Sequence, residues 1–346
     1  MIMSASSASS QPNSLPTERS IAFFPINIFG AIMGFAGLTL SLKQAHILLG
    51  ISENIFFIFT ILTTLLFIVF SATYLIKLIK FPKSVITEFN HPVALHFFPT
   101  FSISLLLLSL IYIDMAYTIA EIMWVLGTIL QFGLLLYILN NWIHHEKWQI
   151  THMNPAWFIP VVGAIVVPLG AVHFVNMEIA WFFFSIGLVF WIILNSIVMY
   201  RLFFHAPMIK LLEPTLFILI APPSVGFLSY MTLIGMTGLN EFARILYYIA
   251  LFLMIMLITQ IPRFIKVPFA LSWWAYTYPL AAFSLASYMM YEQLNNVFFS
   301  YVASLVLAIL FALTLHLTFK TIMAIKNKKL CMPPHTDPVS PKVSTK

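Results

Sequence analysis

The chain has 346 residues, of which 61% are hydrophobic and 8% charged, whereas an ordinary soluble domain is about 25% charged. That composition excludes a soluble globular enzyme and calls for a surface that meets lipid. The excess of 17 Lys and Arg over 11 Asp and Glu does not point to nucleic acid, because the basic residues lie beside apolar runs, where they orient a membrane protein.

Residues 1–20 are polar and Ser-rich, without the basic start and apolar core of a signal peptide, and read as a disordered tail. Ten apolar runs follow, each long enough for the roughly 20 residues that cross a bilayer. They lie near 22–42, 54–78, 95–113, 116–142, 155–175, 178–202, 214–236, 241–262, 268–291 and 297–325. Residues 326–346 read as a second disordered tail. It holds the single cysteine, Cys331, so no disulfide framework and no redox thiol pair is expected. The expectation is an all-α membrane protein with one ten-helix domain over 21–325.

Loops between odd and even runs contain only Lys43 and Arg244 as cations, against Glu53, Asp114, Glu121, Glu178, Glu241 and Glu292 at or near their edges. Loops between even and odd runs carry Lys77, Lys80, Lys83, Lys147, Arg201, Lys210, Arg263 and Lys266, and the C-terminal tail adds Lys326, Lys328 and Lys329. The positive-inside rule then puts both termini in the cytoplasm.

Proline marks the start of every odd run, at Pro25, Pro92, Pro155, Pro214 and Pro268, and suits a first turn whose N–H groups have no partner. Four odd runs carry further prolines at membrane depth: Pro99, Pro160 with Pro168, Pro222 with Pro223, and Pro279. The first run instead places Gly30, Gly34 and Gly37 on one helical face. Even runs have no interior proline. Irregular backbone at this depth is tolerated where it is enclosed by protein or lines a cavity, so the pattern predicts five helical hairpins in a ring, odd helices around a pore and even helices outside.

Five parallel inner helices would present their positive N-terminal dipoles to the cytoplasmic mouth. Lys83, Lys210, Arg263 and Lys266 lie near that mouth, while the inner runs contain no Asp, Glu, Lys or Arg in their interiors. A positive entrance above a neutral lining suits the passage of small anions.

Five segments carry a family resemblance: FPINIFGAIMG (Phe24 to Gly34), HPVALHFFP (His91 to Pro99), NPAWFIPVVG (Asn154 to Gly163), LEPTLFILIAPPSVG (Leu212 to Gly226) and SWWAYTYP (Ser272 to Pro279). Over about residues 21–325 the chain resembles the tellurite-resistance and dicarboxylate transporter family. That family includes bacterial tellurite-resistance protein A, plant slow-type anion channels, and yeast malate and sulfite transporters. The resemblance implies a homotrimer in a cell membrane, most simply a bacterial inner membrane, with a pore in each subunit. It also implies an aromatic gate on the ninth helix, where the family's phenylalanine is matched by Tyr278. Gly30 is expected opposite the ring. Gly34, Pro99, Pro160, Gly163, Pro168, Pro222, Pro223, Gly226 and Pro279 are expected to line the pore or support the gate.

Small inorganic or organic anions and membrane lipid are the expected partners, with no cofactor and no metal. His144, His145 and His152 cluster in one loop without a strong metal-ligand spacing. His96 is a polar boundary residue that could sense pH at the mouth, and Glu213, beside Pro214, is placed to cap the seventh helix. Trp124, Trp142, Trp148, Trp157, Trp181, Trp273 and Trp274 read as interfacial anchors or packing residues. An intramembrane enzyme would need a nucleophile, a metal triad or paired carboxylates at membrane depth, and the runs offer none. The alternative within transport is a proton-coupled carrier or exporter of C4-dicarboxylates, sulfite or tellurite, which calls for a titratable group in the lumen.

Overall fold

The computed structural model describes residues 19–332, so the expected tails fall outside it over 1–18 and 333–346. Among the described residues every regular element is helical. The long helices are α1 (Ile26–Leu49), α2 (Glu53–Lys80), α3 (Ala94–Tyr112), α4 (Tyr117–His144), α5 (Pro155–Phe174), α6 (Met177–Phe204), α7 (Lys210–Leu233) and α8 (Glu241–Ile258). They are followed by α9 (271–294) and α10 (Val297–Lys326).

Each odd helix packs on the even helix that follows it, across connections as short as residues 295–296. Gly50 (φ +69°) and Asn295 (φ 47°) close α1 and α9 in the left-handed region, the usual way to end a helix in a tight reversal. Asparagine starts three of the even helices: Asn176, Asn240 and Asn296 accept from the backbone N–H of Glu178, Ala243 and Phe298.

The odd helices also contact one another in cyclic order: α1 with α3, α3 with α5, α5 with α7, α7 with α9, and α9 back to α1. In α1, α3, α5 and α7, between 78% and 89% of the most apolar stretch is enclosed by the protein, against 28% to 39% in the even helices. Nine helices among the described residues are long and apolar enough to cross a membrane, and α9 is not among them. It is rich in Trp, Tyr and Ser. Packed between α1, α7 and α10, it meets protein rather than lipid, so it does not need their apolarity.

Proline shapes the inner helices in a way the sequence pattern only half suggests. Every odd helix begins as a 3-10 helix: Ile26–Ile28, Ala94–Phe97, Pro155–Phe158, Lys210–Ile220 and Leu271–Tyr276. Proline at position i cannot donate to the carbonyl at i−4, but in a 3-10 turn the N–H at i−1 reaches that same carbonyl. Phe98 N–H before Pro99 takes Leu95 O, Ile159 before Pro160 takes Ala156 O, and Ala221 before Pro222 takes Ile218 O. The expected mid-membrane breaks at these three prolines are therefore junctions between 3-10 and α geometry. Pro168 alone lies deep within an α segment. There Ser229 Oγ and Trp124 Nε1 donate to the nearby carbonyls of Ile165 and Val167.

Candidate functional site

A cavity of about 40 Å³ lies where the five odd helices converge, with room for only a few waters. α1 contributes Asn27, Gly30 and Met33; α3 contributes Phe97, Thr100 and Ile103; α5 contributes Ile159 and Val162; α7 contributes Ile218 and Ala221. Spacings of three residues keep these side chains on one face of a 3-10 or α turn. α9 supplies the largest share, from Leu271 to Tyr278 and Pro279. No lining residue carries a formal charge.

Asn27, Gly30, Leu271 and Ala275 are partly exposed, whereas Met33, Ile103, Val162 and Tyr278 are buried. The cavity is thus more exposed toward the N-terminal ends of the odd helices and more enclosed deeper in the bundle, where Tyr278 is one of its buried walls. Two of its polar side chains are occupied elsewhere, since Thr100 Oγ1 donates to Phe97 O and Ser272 Oγ to Leu211 O. Asn27 Oδ1 has no partner. Asn27 and the Tyr278 hydroxyl are the polar side-chain groups on its wall left without a partner among the described residues.

Of the residues expected here, Gly30, Tyr278 and Pro279 line the cavity. The others lie behind it. A Cβ on Gly34 would come within 2.1 Å of Thr277 Oγ1, one on Gly163 within 2.2 Å of the Gln131 amide, and one on Gly226 within 3.7 Å of Leu246. Pro99, Pro160, Pro168, Pro222 and Pro223 are buried but absent from the lining. Gly30 shares the cavity wall with Tyr278, and a Cβ on it would come within 3.8 Å of Trp274 Cβ; Gly37 packs directly beside the tyrosine, where an added Cβ would meet Tyr278 Cδ2 at 3.4 Å.

Gln131 escaped the sequence reading, although it is an isolated amide in an apolar run. It is fully buried, donates to Pro160 O at 2.6 Å and accepts from Ser102 Oγ at 2.6 Å, so it ties α4 to α3 and α5. Gly163→Ala should displace it, at a cost of about 1–3 kcal/mol from overpacking alone, seen as a lower unfolding temperature in detergent. Gly133→Ala, with nothing within 4 Å, serves as the control and should not lower it.

The basic end is less positive than its cation count suggests. Lys210, Arg263 and Lys266 meet in one surface pocket with Glu213, and Lys83 lies apart on the short helix Pro82–Asn90. Arg263 Nη2 donates to Glu213 Oε1 at 2.7 Å, and this bond raises the guanidinium pKa above its ordinary value. Glu213 therefore neutralises Arg263 and makes no helix-capping bond, which corrects the role expected for it. A second carboxylate occupies the start of α1: Glu88 accepts from Ile26 N–H at 2.7 Å, from Tyr74 OH at 2.9 Å and from Lys77 Nζ at 2.5 Å. One of the five helix N-termini expected to draw anions is thus already filled from within the chain.

His96 is fully buried rather than at an open mouth. Its ring stacks on Trp157 at 4.7 Å, and Trp142 Nε1 donates to its Nε2 at 3.1 Å. His152 is buried within the turn 150–152 while His144 and His145 end α4. Among the described residues no three His, Cys, Asp or Glu side chains gather as metal ligands.

The model of the family described as "Voltage-dependent anion channel" (SLAC1) matches residues 23–322. An uncharacterized transporter of Methanocaldococcus jannaschii is 29% identical over 295 residues, spanning 78% of this chain and 85% of that protein. S-type anion channel SLAH2 of Arabidopsis thaliana is 28% identical over 294 residues, spanning 82% of this chain and 56% of the longer plant protein. A tellurite resistance protein TehA homolog of Haemophilus influenzae is 24% identical over 280 residues, spanning 78% of this chain and 81% of that protein.

Proposed function

The chain belongs to the SLAC1 voltage-dependent anion channel family, a family of multi-pass membrane proteins that are channels and transporters rather than enzymes, and we propose that it passes small anions through a pathway inside each protomer. The observation that carries this reading is the uncharged cavity bounded by all five odd helices of one chain, with the buried Tyr278 ring on its wall. No second chain is needed to complete its wall. An uncharged lining holds an anion weakly enough to release it, which favours a conductive route over a proton-coupled carrier. Tyr278 is the constriction, and Gly34 and Gly37 let α1 pack closely on α9 behind it, against Thr277 and Ala281. The trimer implied by the family resemblance then assembles three separate pathways. Both termini lie in the cytoplasm, since the N-terminal ends of the odd helices carry the basic loops.

Purified protein in liposomes tests the reading. Anion efflux driven by a membrane potential, at equal pH on both sides, is the expected result; uptake that saturates and requires a proton gradient would overturn it in favour of a carrier.

The pocket of Lys210 and Lys266 should raise the anion concentration at the basic end. The double substitution Lys210→Gln, Lys266→Gln is expected to lower flux about two- to tenfold at low ionic strength and to have no effect near 1 M salt, where the Debye length is about 3 Å. A salt-independent loss would show that these lysines act on folding instead.

A further inference from the structure

The C-terminal turn of α6 holds a cation that the chain does not neutralise. Arg201 is 5% exposed, and a guanidinium keeps its charge at any physiological pH. Its Nη1 donates to Ala206 O at 2.6 Å, while its Nε is buried without a partner. No carboxylate lies within ion-pair distance of it among the described residues. Lys77 and Arg263 at the same end differ in this respect, since each has its own glutamate.

Four residues on, His205 Nε2 is also buried and unpartnered, with its ring edge-on to Tyr200 at 5.1 Å. His205 is the extended residue that ends α6, and the Arg201 guanidinium is anchored on the carbonyl of the residue after it, Ala206. A buried, unpaired guanidinium is strongly unfavourable.

The surroundings indicate where a counter-anion would come from. Phe203 and Phe204 are 71% and 73% exposed and Ile209 is 56% exposed, so apolar side chains flank the turn at the end where the basic loops gather. We propose that Arg201 and His205 bind the phosphate group of an anionic phospholipid, with its acyl chains along Phe203, Phe204 and Ile209. A phosphodiester carries a single negative charge, matching the one cation that is buried without an ion pair among the described residues. Its oxygens accept from the planar guanidinium fork, and His205 adds a donor as its Nε2–H tautomer. The site is separate from the lumen and does not depend on the ion-pathway reading.

Native mass spectrometry in mild detergent, combined with thermal unfolding of the delipidated protein, tests the proposal with phosphatidylglycerol, phosphatidylcholine and inorganic phosphate as probes. Phosphatidylglycerol should raise the unfolding temperature in a saturable way, and phosphatidylcholine should do so less. Arg201→Gln should weaken phosphatidylglycerol binding by about tenfold or more, His205→Gln less, and Lys326→Gln on α10 not at all. Should Arg201→Gln fail to fold, Arg201→Lys keeps the charge without the fork and is expected to weaken binding too. Inorganic phosphate that stabilises the protein and competes with the lipid supports the same phosphate site with a soluble source. Equal stabilisation by both lipids, or wild-type phosphatidylglycerol affinity in a folded Arg201 variant, overturns the proposal.

Discussion

Tyr278→Ala is expected to raise anion flux through reconstituted protein by about tenfold or more, equivalent to removing roughly 1.4 kcal/mol or more from the barrier. The ring lines the cavity and is 7% exposed. The hydroxyl has no protein partner among the described residues, so packing alone holds the ring. Gly37 lies beside it, and Pro279 follows it within the first turn of the α segment Thr277–Leu294, where a proline has no N–H bond to lose. Truncation to Ala removes the ring and leaves this backbone intact. Tyr278→Phe separates bulk from hydrogen bonding: a flux near that of the wild type means that the ring is a steric plug, whereas a changed preference among anions means that the hydroxyl donates to the permeant. Single-channel recording at matched surface expression reads both variants. Unaltered conductance in a folded Tyr278→Ala protein removes Tyr278 from the gate.

Glu88→Ala should cost the fold about 3–5 kcal/mol, the usual penalty for leaving a buried charge without its partner. Lys77 and Glu88 side chains are 3% and 14% exposed. Lys77 Nζ also donates to Phe24 O at 2.8 Å, so the pair joins the end of α2 to the start of α1. Losing the carboxylate strands Lys77 and removes the acceptor of Ile26 N–H and of the Tyr74 hydroxyl at once. Thermal unfolding in detergent should fall sharply for Glu88→Ala and recover most of the loss in Lys77→Met, Glu88→Leu, where neither charge remains to be buried. A double variant as unstable as the single one would show that the bonds to α1 matter more than charge balance.

Asn27 was not singled out in the sequence although it lies inside one of the five family-like segments, because an amide near a membrane boundary looks the same whether it faces lipid headgroups or a lumen. Lys77 was read as a topological anchor for a similar reason: a lysine at a helix end satisfies the positive-inside rule whether it is solvated or buried on a glutamate eleven residues away. Proline gave the opposite outcome. Its effect on the backbone is local, so Pro99, Pro160 and Pro222 marked the inner helices correctly, yet they interrupt α geometry from behind the lining rather than within it.

Amino-acid order alone determined the membrane class, nine apolar helices long enough to cross, the greater enclosure of the odd helices and the family, because hydropathy and proline act within one helix length. Tertiary structure decided which side chains share the lumen, which carboxylates occupy the basic end and which cation is left unpaired. Those features depend on the register between helices far apart in the chain. That register is set by contacts such as Gly34 on Thr277 and Gly163 on Gln131, where the absence of one Cβ fixes how closely two helices approach.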